Sequence, residues 1–482
     1  MKLNRTTTAI AALFLWTTVH ANTITVTSTA DNGAGTLRNA LASVANGDTI
    51  NFTVTGSITL TTGQLVISNS VAIFGPGPGS LAVNGNAASR VLYITNAVTA
   101  VISGLAITNG AVSGAFPGFV GAGIWNDHST LTLSNCVISG NYGGGGSGGG
   151  IYNDASFGSA TLSIIASTLS GNSVSNSGGA IQNFGYDGSA TLSIIASTLS
   201  GNTAAGNGTV GGAIFNNGNF GGATLLVSNS TFSGNSADQQ GGAIYNAGAA
   251  GVFPTILTVR ASTFSGNSAP GNGGAIFING AASFVSLGDT ILKTGTSGSN
   301  IVNNGGFVTS AGYNLSSDNA NGLLTSATDQ LNIDPMLGPL ANNGGPTFTC
   351  ALLTGSPAID KGNSFGLATD QRGLPRSVDA PCIPNAAGGD GSDIGAFEAQ
   401  GGCPSFQITA ITRETNNIRI TWSTSASKTN VLESTAGTAG NYSNNFAAIF
   451  TVTNTVGTIT NYLDIGAATN FPARYYRVRL VP

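Results

Sequence analysis

Apolar and polar residues alternate in short runs along most of the chain. The clearest case is GSATLSIIASTLSGN, which occupies residues 158–172 and occurs again, letter for letter, at residues 188–202. Its segments TLSII and STLSG are rich in β-branched side chains, and Gly, Asn and Ser lie between them. This pattern predicts short β-strands joined at tight corners.

The strand pattern repeats because two motifs recur. One motif ends in SGN, and the other runs from a glycine pair through an isoleucine to an asparagine. A unit of about 30 residues with two or three strands cannot enclose a core alone, but stacked copies bury a continuous one. The sequence therefore predicts an all-β fold whose main part is a parallel β-helix.

The asparagines of the two motifs fall at equivalent positions of successive units. In a stack with a strand spacing of about 4.8 Å, their amides can hydrogen-bond from coil to coil. The first motif predicts a structural ladder of Asn141, Asn172, Asn202, Asn235 and Asn267. The second motif predicts another ladder of Asn126, Asn153, Asn183, Asn216 and Asn246.

The combination of GGAI with FSGN resembles the GGA(I/L/V) and FxxN repeats of polymorphic outer membrane proteins, a family of bacterial surface β-helices. FSGN occurs at residues 232–235 and 264–267, while three other copies have Ile or Leu in place of Phe. The resemblance covers about residues 100–290. It implies a right-handed parallel β-helix at the cell surface.

The N-terminal residues depart from the repeat. Residues 1–21 have a basic start, an apolar stretch and a Val-His-Ala ending, which together are typical of a secretory signal and predict export. Residues 22–332 are assigned to an N-terminal cap and the β-helix. Within them, Thr36 to Ala45 are predicted to form an amphipathic helix that covers the open end of the stack, with Thr36 as its N-cap.

Residues 333–400 carry more charge than the repeats. Their phrases TDQRGLPR and DIGAFE resemble the C-terminal part of secreted bacterial β-helix proteins with a choice-of-anchor module. We interpret the segment as the last coils and a cap that closes the end of the stack through buried ion pairs. The cap charges are Asp370, Arg372, Arg376, Asp393 and Glu398.

A further domain is predicted for residues 403–482. Runs such as IRITW and YYRVRLV alternate like the strands of a sandwich, and they resemble a fibronectin type III or related immunoglobulin-like module. The resemblance implies a small antiparallel β-sandwich behind the β-helix.

The low charge of the chain argues against some classes of function. Only 7% of the 482 residues are charged, against about 25% in an average soluble protein. The net charge of −4 and the scattered arginines argue against nucleic acid as a partner. Beyond the signal no apolar run reaches the roughly 18 residues of a membrane-spanning helix, so none is predicted.

Few side chains of the repeats are suited to catalysis. Asp127 and Asp154 occupy equivalent sites of adjacent coils beside His128, and they are the best candidates in the repeats for a metal or acid/base site. The alternative is a pair of solvated loop carboxylates. His128 is the only histidine after the signal, which excludes a catalytic triad. We assign no catalytic residue, metal or cofactor.

The residue after each motif isoleucine suggests a binding surface. If the isoleucines point inward, alternation turns the next residue outward. The aromatic members of this column are Trp125, Tyr152, Phe215, Tyr245 and Phe277. An exposed aromatic stripe suits sugar rings or a partner surface, and packing beneath the loops is the alternative.

These observations favour a non-catalytic secreted or cell-surface protein for adhesion or binding. Its partner would be an extracellular polysaccharide or a surface protein. The alternative is a carbohydrate-active β-helix enzyme, such as a polysaccharide lyase or hydrolase, with its site outside the repeats. The charge cluster of residues 370–398 is the place where such a catalytic or Ca²⁺ site would lie.

Four cysteines remain to be paired. Cys136 replaces a serine found at the same place in the other coils and is expected to be a free thiol. Export into an oxidising compartment favours a disulfide between Cys350 and Cys382, with Cys382 to Cys403 as the rival pairing.

Overall fold

The computed structural model describes residues 21–114, 118–249, 253–380, 383–400, 408–424, 429–438, 441–442, 444–453, 459–470 and 473–481. In this part of the chain, four parallel sheets of 11, 11, 9 and 5 strands run along one axis, and smaller antiparallel sheets follow. The predicted parallel β-helix is therefore confirmed. The signal predicted for residues 1–21 lies almost wholly outside the described residues.

Successive strands of a coil belong to different sheets, and among the described residues five coils contribute a strand to the fourth sheet. The first sheet contains Thr23–Val26, Asp48–Phe52, Val71–Phe74, Thr99–Ser103, Thr130–Ser134, Ser159–Ile165, Ser189–Ile195, Gly222–Ser228, Thr255–Arg260, Ser283–Gly288 and Phe307–Gly312. The second contains Gly56–Thr59, Leu81–Asn84, Ala106–Thr108, Val137–Ser139, Thr168–Ser170, Thr198–Ser200, Thr231–Ser233, Thr263–Asn267, Ile291–Thr294, Leu315–Ser316 and Gln330–Leu331. The third contains Leu65–Ile67, Leu92–Ile94, Ile124–Asp127, Ile151–Asp154, Ile181–Phe184, Ile214–Asn217, Ile244–Ala247, Ile276–Asn279 and Ile301–Asn304. The fourth contains Ala111–Val112, Tyr142–Gly143, Ser173–Val174, Thr203–Ala204 and Ser236–Ala237.

Identical residues of successive coils lie side by side. In the duplicated stretch, Leu162 pairs with Leu192 and Ile164 with Ile194, so alternation sends both columns into the same interior. All four side chains are fully buried. Burying a side chain of this size stabilises the fold by about 1.5–3 kcal/mol, which explains why aliphatic residues hold these columns.

Both asparagine ladders are present. Amide nitrogen donates to the amide oxygen of the next coil at 2.9 Å from Asn141 to Asn172 and at 3.0 Å from Asn172 to Asn202. The same bonds continue through Asn235 to Asn267. In the second ladder, Asn126, Asn153, Asn183, Asn216 and Asn246 are joined at 2.7–2.8 Å. Within each column the buried amides thus satisfy one another. The exceptions lie at the two ends of the second ladder, where Asn126 Oδ1 and Asn246 Nδ2 have no hydrogen-bond partner among the described residues.

A helix covers the N-terminal end of the core, as predicted. It spans Leu37–Ser43, and the Thr36 side chain accepts a hydrogen bond from the backbone N–H of Asn39. Leu37 and Leu41 are buried in the same apolar cluster as the coils. The helix ends two residues before the predicted Ala45 because Val44 adopts an extended backbone that leads into the next strand.

The cap predicted for residues 333–400 lies in a different place. The C-terminal end of the core is covered by the turn around Ala320–Gly322, where Ala320 and Leu324 join the apolar cluster. The strands Leu337–Ala341 and Thr349–Leu352 then form an antiparallel pair. The prediction of a cap that closes the end is therefore wrong in its position.

Residues 337–398, here called the flank segment, run back along the side of the stack. Thr198 donates to the carbonyl of Phe348 at 2.5 Å, and the backbone N–H of Ala396 donates to the hydroxyl of Thr263 at 3.0 Å. Gly395 also bonds to the backbone of Asp289. The segment therefore covers the corner between the first and second sheets over four consecutive coils, a length of roughly 14 Å at the strand spacing.

The side chains of the five predicted cap charges are buried in this segment. Arg372 pairs with Asp370 at 2.7 Å, and Arg376 pairs with Asp289 of the β-helix, both side chains being fully buried. Burial raises the pKa of Asp289 to about 7, although the Arg376 guanidinium beside it favours the charged form. Both ion pairs exist, but neither closes an end: the pair of Arg376 with Asp289 attaches the flank segment to the coils, and the pair of Arg372 with Asp370 lies within the flank segment.

Asp393 and Glu398 share an enclosed site of the flank segment. Glu398 accepts hydrogen bonds from the backbone N–H groups of Val378 and Asp393. Asp393 in turn accepts from Asp360 and Ala399. Burial and the Asp393 carboxyl raise the pKa of Glu398 to about 8, because two carboxyls in one enclosed site do not ionise together easily.

Beyond residue 407, seven described strands form two antiparallel sheets. One sheet contains Ile408–Glu414, Asn417–Ser423 and Ile459–Asp464, and the other contains Thr429–Thr438, Asn441–Tyr442, Ala447–Val452 and Ala473–Val481. Trp422, Ile420 and Leu432 are buried together in their core. The predicted small antiparallel unit is present, and its assignment to fibronectin type III stays a prediction.

The structure does not contain the preferred disulfide. Cys350 is a buried free thiol whose sulfur faces the hydroxyls of Ser265 and Ser233. Its strand Thr349–Leu352 therefore points the thiol toward the coils. Cys382 and Cys403 lie outside the described residues, so the rival pairing stays a prediction. Cys136 is free and buried, as expected.

Candidate functional site

The predicted aromatic column turns away from the main core but is not exposed. Trp125 is 8% exposed, Tyr152 5%, Tyr245 8% and Phe277 4%, while Phe215 is half-buried. The expectation of an open stripe for sugar rings is therefore wrong. These side chains lie beneath loops that connect the fourth sheet to the third.

Loop residues supply the cover. Val120 packs with Trp125 and Tyr152, and Val210 packs with Tyr245 and Phe277. The rings also stack along the axis: the centroids of Tyr245 and Phe277 are 5.3 Å apart at an interplanar angle of 2°. Such contacts stabilise the stack by burying rings against one another. The column is a second, outer core.

The second candidate, Asp127 with Asp154 and His128, is brought together as predicted. Asp127 and Asp154 are strand partners in adjacent coils. The Asp127 carboxylate accepts a hydrogen bond from the Tyr93 hydroxyl at 2.8 Å and also contacts the imidazole of His128. Asp154 accepts from the backbone and hydroxyl of Ser156. Both carboxylates are therefore already engaged in local structure.

His128 is engaged at both ring nitrogens. Nδ1 lies against Asp127, and Nε2 lies 2.5 Å from the carbonyl oxygen of Ser156. Two acceptors at one imidazole fit the protonated ring, which donates twice. Burial alone would lower the pKa of His128, but the Ser156 carbonyl and the Asp127 carboxylate raise it above its usual value. This arrangement holds a corner together and leaves no free base.

A shallow polar cleft adjoins this histidine. It has a volume of about 150 Å³ and is lined by Thr99, His128, Thr130, Ser159 and Thr161, among others. Hydroxyl groups dominate its surface, so it suits hydrogen bonding to a polar ligand.

Sequence reasoning missed one aromatic feature, at the corner between the third and first sheets. Phe157 is 75% exposed and Phe220 63% exposed, and Tyr186 of the intervening coil lies between them. The ring centroids are 5.6 Å apart from Phe157 to Tyr186 and 5.5 Å from Tyr186 to Phe220. The available signal was an aromatic residue directly before Gly158 and Gly221 in otherwise polar corners.

Among the described residues, no helix has the length and apolar character needed to cross a bilayer. In the same part of the chain, no three His, Cys, Asp or Glu side chains converge as a metal site would require.

Comparison with known proteins supports the repeat assignment. The Chlamydia polymorphic membrane protein repeat matches residues 229–247 and 261–279. No curated protein sequence matches the chain.

A solved structure of the PL6 family alginate lyase AlyGC is similar at 13% identity and a TM-score of 0.26. The alignment covers 74% of this chain and 60% of that one, so this chain spans less than two thirds of the lyase's length. This likeness is too distant to assign an activity. The chain is a parallel β-helix protein that carries polymorphic membrane protein repeats.

Proposed function

We propose that this chain is a non-catalytic, exported β-helix protein of the bacterial surface that binds an extracellular glycan or a partner surface. The repeats it carries are those of a surface-associated family. A stack of coils provides reach, and loops of varying length provide surface for recognition.

One observation supports binding over catalysis. The acids and the histidine that the repeats bring together are each engaged in hydrogen bonds that hold the corner, while aromatic rings and hydroxyls are left open to solvent. General acid/base chemistry needs a group that is free to exchange a proton with a substrate. Rings and hydroxyls need only contact a ligand.

The first test locates the protein. Cells that express residues 1–482 are fractionated, and intact cells are treated with protease before lysis. We expect the chain in the medium or in a protease-sensitive surface fraction, without its first 21 residues. Recovery only in the cytosol, with the N-terminal segment still attached, would overturn the proposal.

The second test separates binding from turnover. The purified chain is incubated with uncharged and uronate-containing polysaccharides, and both retained protein and new sugar ends are measured. We expect retention without new ends. Production of new ends or unsaturated sugars would favour the enzyme alternative.

A further inference from the structure

The open corner between the third and first sheets contains three aromatic side chains on three consecutive coils, Phe157, Tyr186 and Phe220, here called the aromatic corner. Adjacent rings meet edge to face, at interplanar angles of 77° and 64°. Phe184 stacks on Tyr186 from the third sheet, with centroids 6.0 Å apart. The rings therefore support one another in a fixed row along the axis.

The backbone beneath the row is strained. Phe157 has a φ of 60° and Phe220 a φ of 65°, values in the left-handed region. Bulky residues rarely adopt this region, and their exposed rings gain little from burial. Two unfavourable features recur together at the same place in two coils. Left-handed residues also occur at the corner between the first and second sheets, for example Ala196 and Ala261, so the distinguishing feature of Phe157 and Phe220 is a bulky, exposed ring at such a position. A strained position of this kind motivates a functional hypothesis.

Hydroxyl groups lie beside the row. The outward positions at the start of the first sheet are Thr130, Thr161, Thr191 and Thr224, paired in register on four consecutive coils. These four residues are here called the threonine file. The polar cleft next to His128 lies at one end of it and includes Ser159, two residues from Phe157.

Lysine and arginine are missing from this region, and the imidazole of His128 is paired with the Asp127 carboxylate. The sequence has no Lys or Arg between Arg90 and Arg260, and Arg90 is buried against Trp125. Arg260 lies over the ring of Phe365 in the flank segment, at a different corner. The exposed acid Asp187 sits within the aromatic corner. Charge at this surface therefore disfavours anionic polymers.

We propose that the aromatic corner and the adjacent threonine file bind an uncharged polysaccharide in an extended conformation along the axis of the stack. This inference rests on the proposed binding function and assigns it a site. Phe157 and Phe220 are two coils apart, which is roughly 10 Å at the strand spacing. That distance is comparable to the length of one disaccharide unit in an extended chain.

The chemistry of the ligand follows from the surface. The faces of aromatic rings carry partial negative charge and attract the positively polarised C–H groups of a pyranose. Its hydroxyls find partners in the threonine file and the cleft. A protein partner would instead favour a broad apolar patch, whereas here a single narrow row of rings runs beside a column of hydroxyls.

Calorimetric titration of residues 22–482 with cellohexaose, chitohexaose and a hexauronate tests this proposal. We expect saturable binding of at least one uncharged oligosaccharide and none of the hexauronate. The double variant Phe157→Ser, Phe220→Ser should weaken binding at least tenfold without lowering the thermal midpoint. Phe74→Ser is the matched control, because Phe74 is a 46% exposed ring of the first sheet away from the corner, and it should bind like the wild type.

The other outcomes separate the site from the function. Equal binding by wild type and double variant would overturn the aromatic corner as the site and leave glycan binding intact. Retention on cell-surface protein but on no glycan would overturn the polysaccharide assignment and support the partner arm of the proposed function. Binding of the hexauronate alone would overturn the argument from charge.

Discussion

Residues 158–172 and 188–202 have the same sequence and the same strand register but different surroundings. Thr168 is half-buried, whereas Thr198, its counterpart one coil later, is 1% exposed. The difference comes from the flank segment, since Thr198 bonds to the Phe348 carbonyl and to the Gln371 side chain. The local sequence sets which residues face the core, and a distant segment decides which corner is covered.

Two corners of the same coil also differ in whether they are covered. The corner between the first and second sheets is closed by the buried ion pair of Arg376 with Asp289 and by hydrogen bonds to the flank segment. The corner between the third and first sheets stays open and presents the aromatic row. We infer that the first corner serves stability and the second serves binding.

The largest expected effect is on the closed corner. Asp289→Ala leaves Arg376 buried without its carboxylate, which should destabilise the β-helix by about 3–5 kcal/mol. Chemical unfolding of the full chain measures the loss. Lys293→Ala is the control, because its partner Asp334 is 66% exposed, and a surface pair of this kind contributes about 0–1 kcal/mol. Equal losses in the two variants would contradict the role of the flank segment.

The second-largest loss of stability is expected at the asparagine ladder, which runs through both identical stretches. Asn172→Ala and Asn202→Ala each interrupt the same ladder and leave buried groups without partners, at a cost of about 1–3 kcal/mol each. Since both amides bond to the coil before and after, the two variants should lose equal stability in thermal unfolding. A clear inequality would show that the ladder is not uniform.

The pH dependence of stability should reflect the flank segment. The folded pKa of Glu398 is raised to about 8, so the folded state holds a proton that the unfolded chain releases above about pH 4.3. The free energy of unfolding should therefore fall as the pH rises from 5 to 9. The expected loss is at least about 1.4 kcal/mol, which is the equivalent of one pKa unit. Glu398→Gln should flatten this slope in unfolding measured across the pH range. An unchanged slope in the variant would assign the pH dependence to other groups.

A smaller effect distinguishes the identical stretches directly. Thr198→Val removes the hydroxyl that bonds to the flank segment and should destabilise the chain by about 1 kcal/mol. Thr168→Val has the same sequence neighbours but no flank segment above it and should change stability by less than half as much. Thermal midpoints of the two variants, measured side by side, decide this. Identical midpoints would mean that the flank segment over Thr198 does not contribute to stability.

The smallest effect is a gain at the open corner. Phe220→Gly relieves a left-handed backbone and should raise stability by about 0.5 kcal/mol after the entropy of glycine is counted. Phe74→Gly lies in an extended strand, where glycine is unfavourable, and should lower stability by about 0.5–1 kcal/mol. Opposite signs in thermal unfolding support strain at Phe220. A loss in both variants would contradict it.

The repeats could be predicted because their signal is local. Alternation and the recurrence of SGN place the strands, and equal spacing places Asn172 over Asn202. The helix at Leu37–Ser43 was predictable from its N-cap and its apolar face. Each of these features depends on residues close in sequence or one coil apart.

The flank segment and the two aromatic sets could not be predicted in the same way. Gln371 reaches Ser197 across 174 residues, and no periodicity indicates such a contact. The outward direction of Tyr152 was correct, but its cover by loops depends on loop conformation. Phe157 is exposed because its backbone is left-handed. The polar residues around it in the sequence do not predict this conformation.

The most direct test of the division between the two corners is one binding titration with uncharged oligosaccharide on three proteins. These are the wild type, Thr198→Val at the closed corner, and Phe157→Ser with Phe220→Ser at the open corner. We expect unchanged affinity for Thr198→Val and at least a tenfold loss for the open-corner variant. A loss of affinity in Thr198→Val with full binding by the open-corner variant would contradict this expectation.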